Sequence, residues 1–345
     1  MTSPASDNPA CLLAPLEGRR PAAPSWFSAA LAKAPERIEV PVQGAAIEVL
    51  LWGEAGKPGL LLLHGNQAHA DWWSFIAPFF AAEYRVAAMS WSGMGGSGWR
   101  QNYSMDCFVA EIDAVAEAAG LFASACAPVV VAHSFGSFPA LAYAAEHGRK
   151  LRGLVSIDSP VLSPEQREAM GRRRRVGENL QPHRVYPSLA AALARFRFLP
   201  AQPCENLYIV DHIARTSLKA MPWDHPQAGG WTWRFDPFLW RDLKMPDPTR
   251  HMAAVQCPVA IIRGGDSALF DDAVLACMRE VVPRGTPIFD IPAAHHHVMV
   301  DQPLALVSAL RGLLCGWPHG PSSAAFPGPA AAGAAHAAGC HATAQ

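Results

Sequence analysis

Residues 59–63, 128–133 and 259–263 are short runs dominated by apolar side chains, and helical patterns separate them along the chain. A strand that is apolar on both faces has no side to turn toward water. It belongs inside a sheet covered by helices on both faces, and alternation of strand with helix makes such a sheet mostly parallel. Residues 85–90, 151–158 and 287–291 read as further strands. Residues 37–42 and 46–52, split at Gln43-Gly44, read as an antiparallel pair. Helical patterns cover 71–82, 104–120, 134–147 and 268–281, and a last helix begins after Pro303. Ligands of such sheets bind at the carboxyl ends of the strands, which is where every motif below falls.

The alternation breaks between two strands. Residues 161–248 carry three helical runs (163–175, 188–196 and 206–219) and then an aromatic stretch, Gly229 to Trp240. They read as a helical lid inserted into a core made of residues 36–160 and 249–315. Residues 1–30, rich in Pro and Ala, are expected to be a disordered arm, and residues 316–345 a low-complexity disordered tail. Neither has a periodic apolar face that would offset its ordering entropy. His319, His336 and His341 in that tail are too irregularly spaced to read as a metal site.

Composition narrows the function classes. Half of the 345 residues are hydrophobic and the formal net charge is −1, so neither nucleic acid nor an anionic membrane is the expected partner. No apolar run reaches the ~18 residues of a spanning helix. The N-terminus lacks the basic and apolar regions of a secretory signal. The 8 cysteines are scattered, without metal-ligand spacing, and read as reduced thiols of a cytoplasmic protein. No cofactor is called for, and the oligomeric state is open.

The chemistry-bearing motif is Val131-Ala132-His133-Ser134-Phe135-Gly136-Ser137, a strand that runs into a helix through a tight turn. A serine hydroxyl is a weak nucleophile unless it is held rigidly beside a base. The strand–turn–helix pattern G-x-S-x-G does the holding, with Ala132 here in the first glycine position. Ser134 is therefore the candidate nucleophile rather than a simple helix cap. The Phe135 amide, at the helix N-terminus, is placed to stabilise a developing oxyanion.

With this turn, the chain resembles the α/β-hydrolase superfamily from about residue 38 to 314. His64-Gly65-Asn66 resembles the family's oxyanion loop, Ser92-Gly93-Met94-Gly95-Gly96-Ser97 its S/R-G-x-G-x-S turn, and residues 294–303 its histidine loop, G-H-x-x-x-x-[DE]-x-P. The resemblance implies an α/β fold with a mostly parallel doubly wound sheet and a helical lid. It implies a second oxyanion amide at Asn66, with Gln67 next in line, and a structural His64. Counting back from Asp301 along the histidine loop places the base at His296, with His295 and His297 shaping the loop. The usual acid position after the seventh strand holds Ser267, and Asp266 lies one residue early. Some members carry the acid after the sixth strand, where this chain has Asp158. Asp158 is preferred as the acid, and Asp266 stays as the alternative.

Arg172 to Arg175 read as a solvated helix face, with an anionic substrate group as the other reading. Trp72, Trp73, Trp231 and Trp233 are candidates for the substrate pocket. The resulting expectation is a serine hydrolase of an apolar or aromatic carboxylic ester or thioester. Carbon–carbon bond hydrolysis, perhydrolysis and a non-catalytic binding protein on the same fold are the alternatives, and Ser134 in place of aspartate disfavours epoxide or haloalkane chemistry. Three adjacent histidines cannot easily converge on one ion, so no metal is expected.

Overall fold

The computed structural model describes residues 11–169 and 180–317. Among the described residues ten strands form: β1 (Glu36–Val42), β2 (Ala45–Trp52), β3 (Gly59–Leu63), β4 (Arg85–Met89), β5 (Val129–His133), β6 (Gly153–Ile157), β7 (Leu218–Ala220), β8 (Trp231–Trp233), β9 (Val259–Gly264) and β10 (Ile288–Ile291). Eight of them make one sheet in the order β1-β2-β4-β3-β5-β6-β9-β10. The β1/β2 and β2/β4 pairs are antiparallel and the remaining pairs are parallel.

The apolar runs occupy the middle of this sheet because each strand feeds two cores. Leu60, Leu62, Val129, Val131, Val155 and Ile157 face one side. Leu61, Leu63, Val130, Ala132 and Leu154 face the other, as the two-residue period requires. Helix Pro303–Gly316 supplies Leu306 and Leu310 to the first core. Helices Met105–Ala118 and Ser137–His147 supply Phe108, Ile112, Leu141 and Tyr143 to the second.

Three expectations give way. The helix expected at 71–82 is two 3-10 turns, Ala70–Trp73 and Ala77–Phe79. Pro78 removes a hydrogen-bond donor, and Trp73, Phe75, Ile76 and Ala77 are all buried, so no single face points to the core. Nor are residues 11–30 an unstructured arm. Helix Ser25–Leu31 docks Phe27 against Phe75 and Tyr208, with ring centroids 5.6 and 4.9 Å apart, and Leu13 is buried as well. At the other end, Trp317 packs over Gly153, where a side chain would collide with the indole. Residues 1–10 and 318–345 lie outside the described residues. Phe27→Ala should lower unfolding free energy by about 3–5 kcal/mol in urea titration, as for a buried aromatic. A change within about 0.5 kcal/mol is what an unstructured arm would produce.

The segment between β6 and β9 mixes helix and strand among its described residues, and ends in the helix Pro248–Ala254. It holds short helices at Pro164–Ala169, Leu189–Leu193 and Leu207–Thr216, and the aromatic stretch forms β8, which pairs with β7. Arg172 to Arg175 fall outside the described residues. The segment is tied to loops at the carboxyl ends of the sheet strands. The Asp236 amide donates to the Gly93 carbonyl (2.7 Å), Trp240 Nε1 to Asn66 Oδ1 (3.0 Å), and Asn206 Nδ2 to the Val300 carbonyl (2.8 Å). Among the described residues no helix is long and apolar enough to cross a membrane.

Candidate active site

Strand β5 ends at His133, and Ser134 then turns the chain with φ of 51°, the left-handed region that non-glycine residues rarely occupy. A 3-10 turn, Ser134–Gly136, leads into helix Ser137–His147. The turn fits only because its neighbours are small. A side chain at Gly136 would lie 2.5 Å from the His64 carbonyl oxygen, and one at Gly65 would lie 3.1 Å from Ser134 Cβ. Ala132 is fully buried and accommodated. Ser159 Oγ donates to the Ser134 carbonyl at 2.8 Å, which holds the strained residue from the next strand end.

His296 reaches this serine from the loop after β10. Its Nε2 lies 2.9 Å from Ser134 Oγ, and its Nδ1 lies 2.7 Å from Asp158 Oδ2. Asp158 is fully buried just past β6, and it also accepts from the Gly264 amide (2.9 Å) and from Ser267 Oγ (2.6 Å). With its carboxylate so placed, Nδ1 carries the ring proton and Nε2 is left free to accept from serine. Asp266, by contrast, is exposed, and its amide donates to the Ala294 carbonyl. Asp266 lines a different cavity of about 500 Å³, with His295 and Asp301. The structure therefore brings Ser134, His296 and Asp158 into one hydrogen-bonded row and leaves Asp266 outside it.

The three adjacent histidines have separate partners. The backbone amide of His295 and its Nδ1 contact Asp301 Oδ2 at 2.7 and 3.0 Å. His297 Nδ1 donates to Gln202 Oε1 at 2.7 Å, and Gln202 Nε2 donates to Asp301. Burial, reinforced by the neighbouring His296, keeps His297 and His133 well below the usual histidine range, so both are neutral. His133 Nε2 donates to the His296 carbonyl at 2.9 Å. The His296 ring thus sits among uncharged imidazoles, with centroids 4.8 Å from both His133 and His297. Among the described residues no group of three or more His, Cys, Asp or Glu side chains is arranged to hold a metal.

His64 braces the other wall. Burial pushes its pKa down to about 3, so it too is neutral. Its Nδ1 donates to the Gly65 carbonyl (2.7 Å), and its Nε2 accepts from the Trp91 amide (3.1 Å). This fixes the loop that presents the Asn66 backbone. The Asn66 side chain accepts from Trp240 Nε1, and the Trp240 ring packs 5.4 Å from that of Phe135. The Phe135 amide lies in the first turn after the strand, where helix donors have no intrahelical acceptor.

A cavity of about 610 Å³ has Asn66, Gln67 and His297, the chain neighbour of His296, on its wall. Trp72 and Trp233 line it, and Trp72 packs 5.5 Å from the His297 ring. The other two pocket candidates are placed elsewhere. Trp73 is fully buried in the core beneath the loop, and Trp231, on β8, pairs with Ala220 and bridges to Tyr186 without lining the cavity.

Sequence reasoning passed over Gln202, which carries no motif and matters only through its contacts with the histidine loop. Ser267 carries a signal of its own. It occupies the position where an acid was expected, and its hydroxyl touches the acid that the fold supplies from elsewhere.

Comparison with known proteins finds a family and several relatives. A sequence model described as "Alpha/beta hydrolase family" matches residues 60–310. An esterase of Mycobacterium tuberculosis is 26% identical over 286 residues, which cover 79% of this chain and 88% of that protein. A cis-3-alkyl-4-alkyloxetan-2-one decarboxylase of Xanthomonas campestris is 25% identical over 304 residues, 81% of this chain and 95% of that protein. Among solved structures, a thioesterase domain from the curacin biosynthetic pathway superposes with a TM-score of 0.63 at 21% identity, covering 81% of this chain and 99% of that one, a likeness of fold.

Proposed function

The chain belongs to the α/β-hydrolase family, and on that premise we propose that it is a serine hydrolase cleaving a carboxylic ester or thioester of apolar or aromatic character through an acyl-enzyme on Ser134. The observation that carries this reading is the unbroken row from Ser134 Oγ through His296 to Asp158, at 2.9 and 2.7 Å. His296 Nε2 takes the hydroxyl proton as Oγ attacks the carbonyl carbon, and Asp158 stabilises the imidazolium that forms. The amides of Asn66 and Phe135 receive the oxyanion, where loss of one such donor costs ~10²–10³ in rate. The imidazolium then protonates the departing alkoxide or thiolate. Water, activated by the same histidine, adds to the acyl-enzyme and frees the acid. The M. tuberculosis relative, an esterase by name, supports the ester class.

In the same reading residues 161–248 act as a lid. The ties of the described residues among them to Asn66, Gly93 and Val300 support that reading. A fluorophosphonate serine probe tests the nucleophile directly. The wild-type protein should be labelled at Ser134 and the Ser134→Ala protein should not. A folded wild type that takes up no probe would overturn the assignment, and a p-nitrophenyl ester series of increasing acyl length would then have nothing to report.

A further inference from the structure

The cavity walled by Asn66, Gln67 and His297 has a charge bias that ester hydrolysis alone does not call for. Among the described residues its lining includes Arg195 and Arg197 and no aspartate or glutamate. Burial alternates along this stretch: Arg195 exposed, Phe196 buried, Arg197 exposed, Phe198 buried. Phe196 and Phe198 pack against each other at 5.2 Å, and Phe198 lies 4.7 Å from the His297 ring. Two buried phenyl rings therefore anchor the backbone, and the two alternating arginines are left exposed at the cavity wall. The Arg195 amide donates to the Ala192 carbonyl, but neither guanidinium group forms a hydrogen bond or ion pair among the described residues. Other arginines of this chain do pair: Arg37 with Asp71, Arg100 with Glu111, Arg215 with Asp211 and Arg263 with Asp290. With a net charge of −1 there is no general excess of cations to explain the pair.

We propose that the substrate carries an anionic group, a carboxylate or a phosphate, away from its scissile carbonyl, and that Arg195 and Arg197 receive it. The inference rests on the hydrolase reading and names the substrate class for that site. Guanidinium groups present paired donors that match carboxylate and phosphate oxygens. In a cleft that gathers one sign of charge the fields of the two groups add. Trp72, Phe198, Trp233 and Phe235 would then flank the chain that joins the anion to the reacting carbonyl. Arg195 and Arg197 are specificity-determining residues in this scheme, and the bond-breaking steps stay with Ser134 and His296.

The test compares substrates of equal acyl length with and without the charge. For the carboxylate arm, kcat/KM toward mono-p-nitrophenyl adipate should exceed that toward p-nitrophenyl hexanoate by about ten-fold or more at low ionic strength. For the phosphate arm, hexanoyl-coenzyme A is compared with the hexanoyl thioester of N-acetylcysteamine. Whichever anion is preferred, the ratio should fall to about one in the Arg195→Gln/Arg197→Gln protein and should shrink with added salt. Binding of mono-p-nitrophenyl adipate and of hexanoyl-coenzyme A to the Ser134→Ala protein, followed by calorimetry, separates this claim from the chemistry. Arginine-dependent binding without turnover would support the anion site while overturning the hydrolase reading. Hydrolysis with no charge preference in either arm, or a preference that survives in the double variant, would overturn the anion site alone.

Discussion

Ser134→Ala and His296→Ala should each lower kcat toward a p-nitrophenyl ester by about 10⁶-fold, and the double variant should be no slower than either single one. The reason is the geometry of the pair. At 2.9 Å the imidazole and the hydroxyl share one proton, and neither half performs its step without the other. Their effects therefore cannot multiply. Residual turnover should still exceed that in water by about 10³–10⁴, because the Asn66 and Phe135 amides and the pocket remain in place. Unfolding midpoints show whether the variants keep their fold, since Ser134 sits at a strained φ and is held through its carbonyl by Ser159. Single losses below about ten-fold would point to a different nucleophile. Losses that multiply would mean that serine and histidine serve separate steps.

What could be read from the sequence follows how local its cause is. The runs at 59–63 and 128–133 announce buried parallel strands because apolarity on both faces has no other outlet, and they form β3 and β5. The turn at Ser134 was legible for a similar reason, since strand, small residues and helix are consecutive in the chain. His296 could be counted from Asp301, and Asp301 holds the loop through His295 and Gln202. Features set by distant contacts were not legible. Trp72 and Trp73 are adjacent and chemically identical, yet one lines the cavity and the other fills the core, a choice made by a 3-10 turn rather than by residue type. Phe27 gave no periodic signal, because its partners Phe75 and Tyr208 come from two other segments. The third member of the row was open for the same reason, because which carboxylate meets Nδ1 depends on how two strand ends approach one loop.

That choice leads to the second large effect. Asp158→Asn should lower kcat by about 10⁴-fold, because an amide that replaces the carboxylate favours the wrong imidazole tautomer and cannot stabilise the imidazolium. Asp266→Asn should change kcat by less than two-fold, since that side chain is exposed and lies outside the row. The position of Ser267 allows a stricter test than loss alone. Its hydroxyl already lies 2.6 Å from the Asp158 oxygen that meets His296, so a carboxylate grown from residue 267 needs only that volume to be vacated. Asp158→Gly vacates it and tolerates the φ of 47° found there. Adding Ser267→Asp in that background should recover about 10²-fold of the lost kcat, while KM changes little, because a restored tautomer acts on chemistry rather than on binding. Recovery would show that residue 267 and residue 158 are two routes for a carboxylate to the same nitrogen. A large loss at Asp266→Asn, or a silent Asp158→Asn, would instead mean that the loop after β9 rearranges to deliver Asp266 when substrate binds.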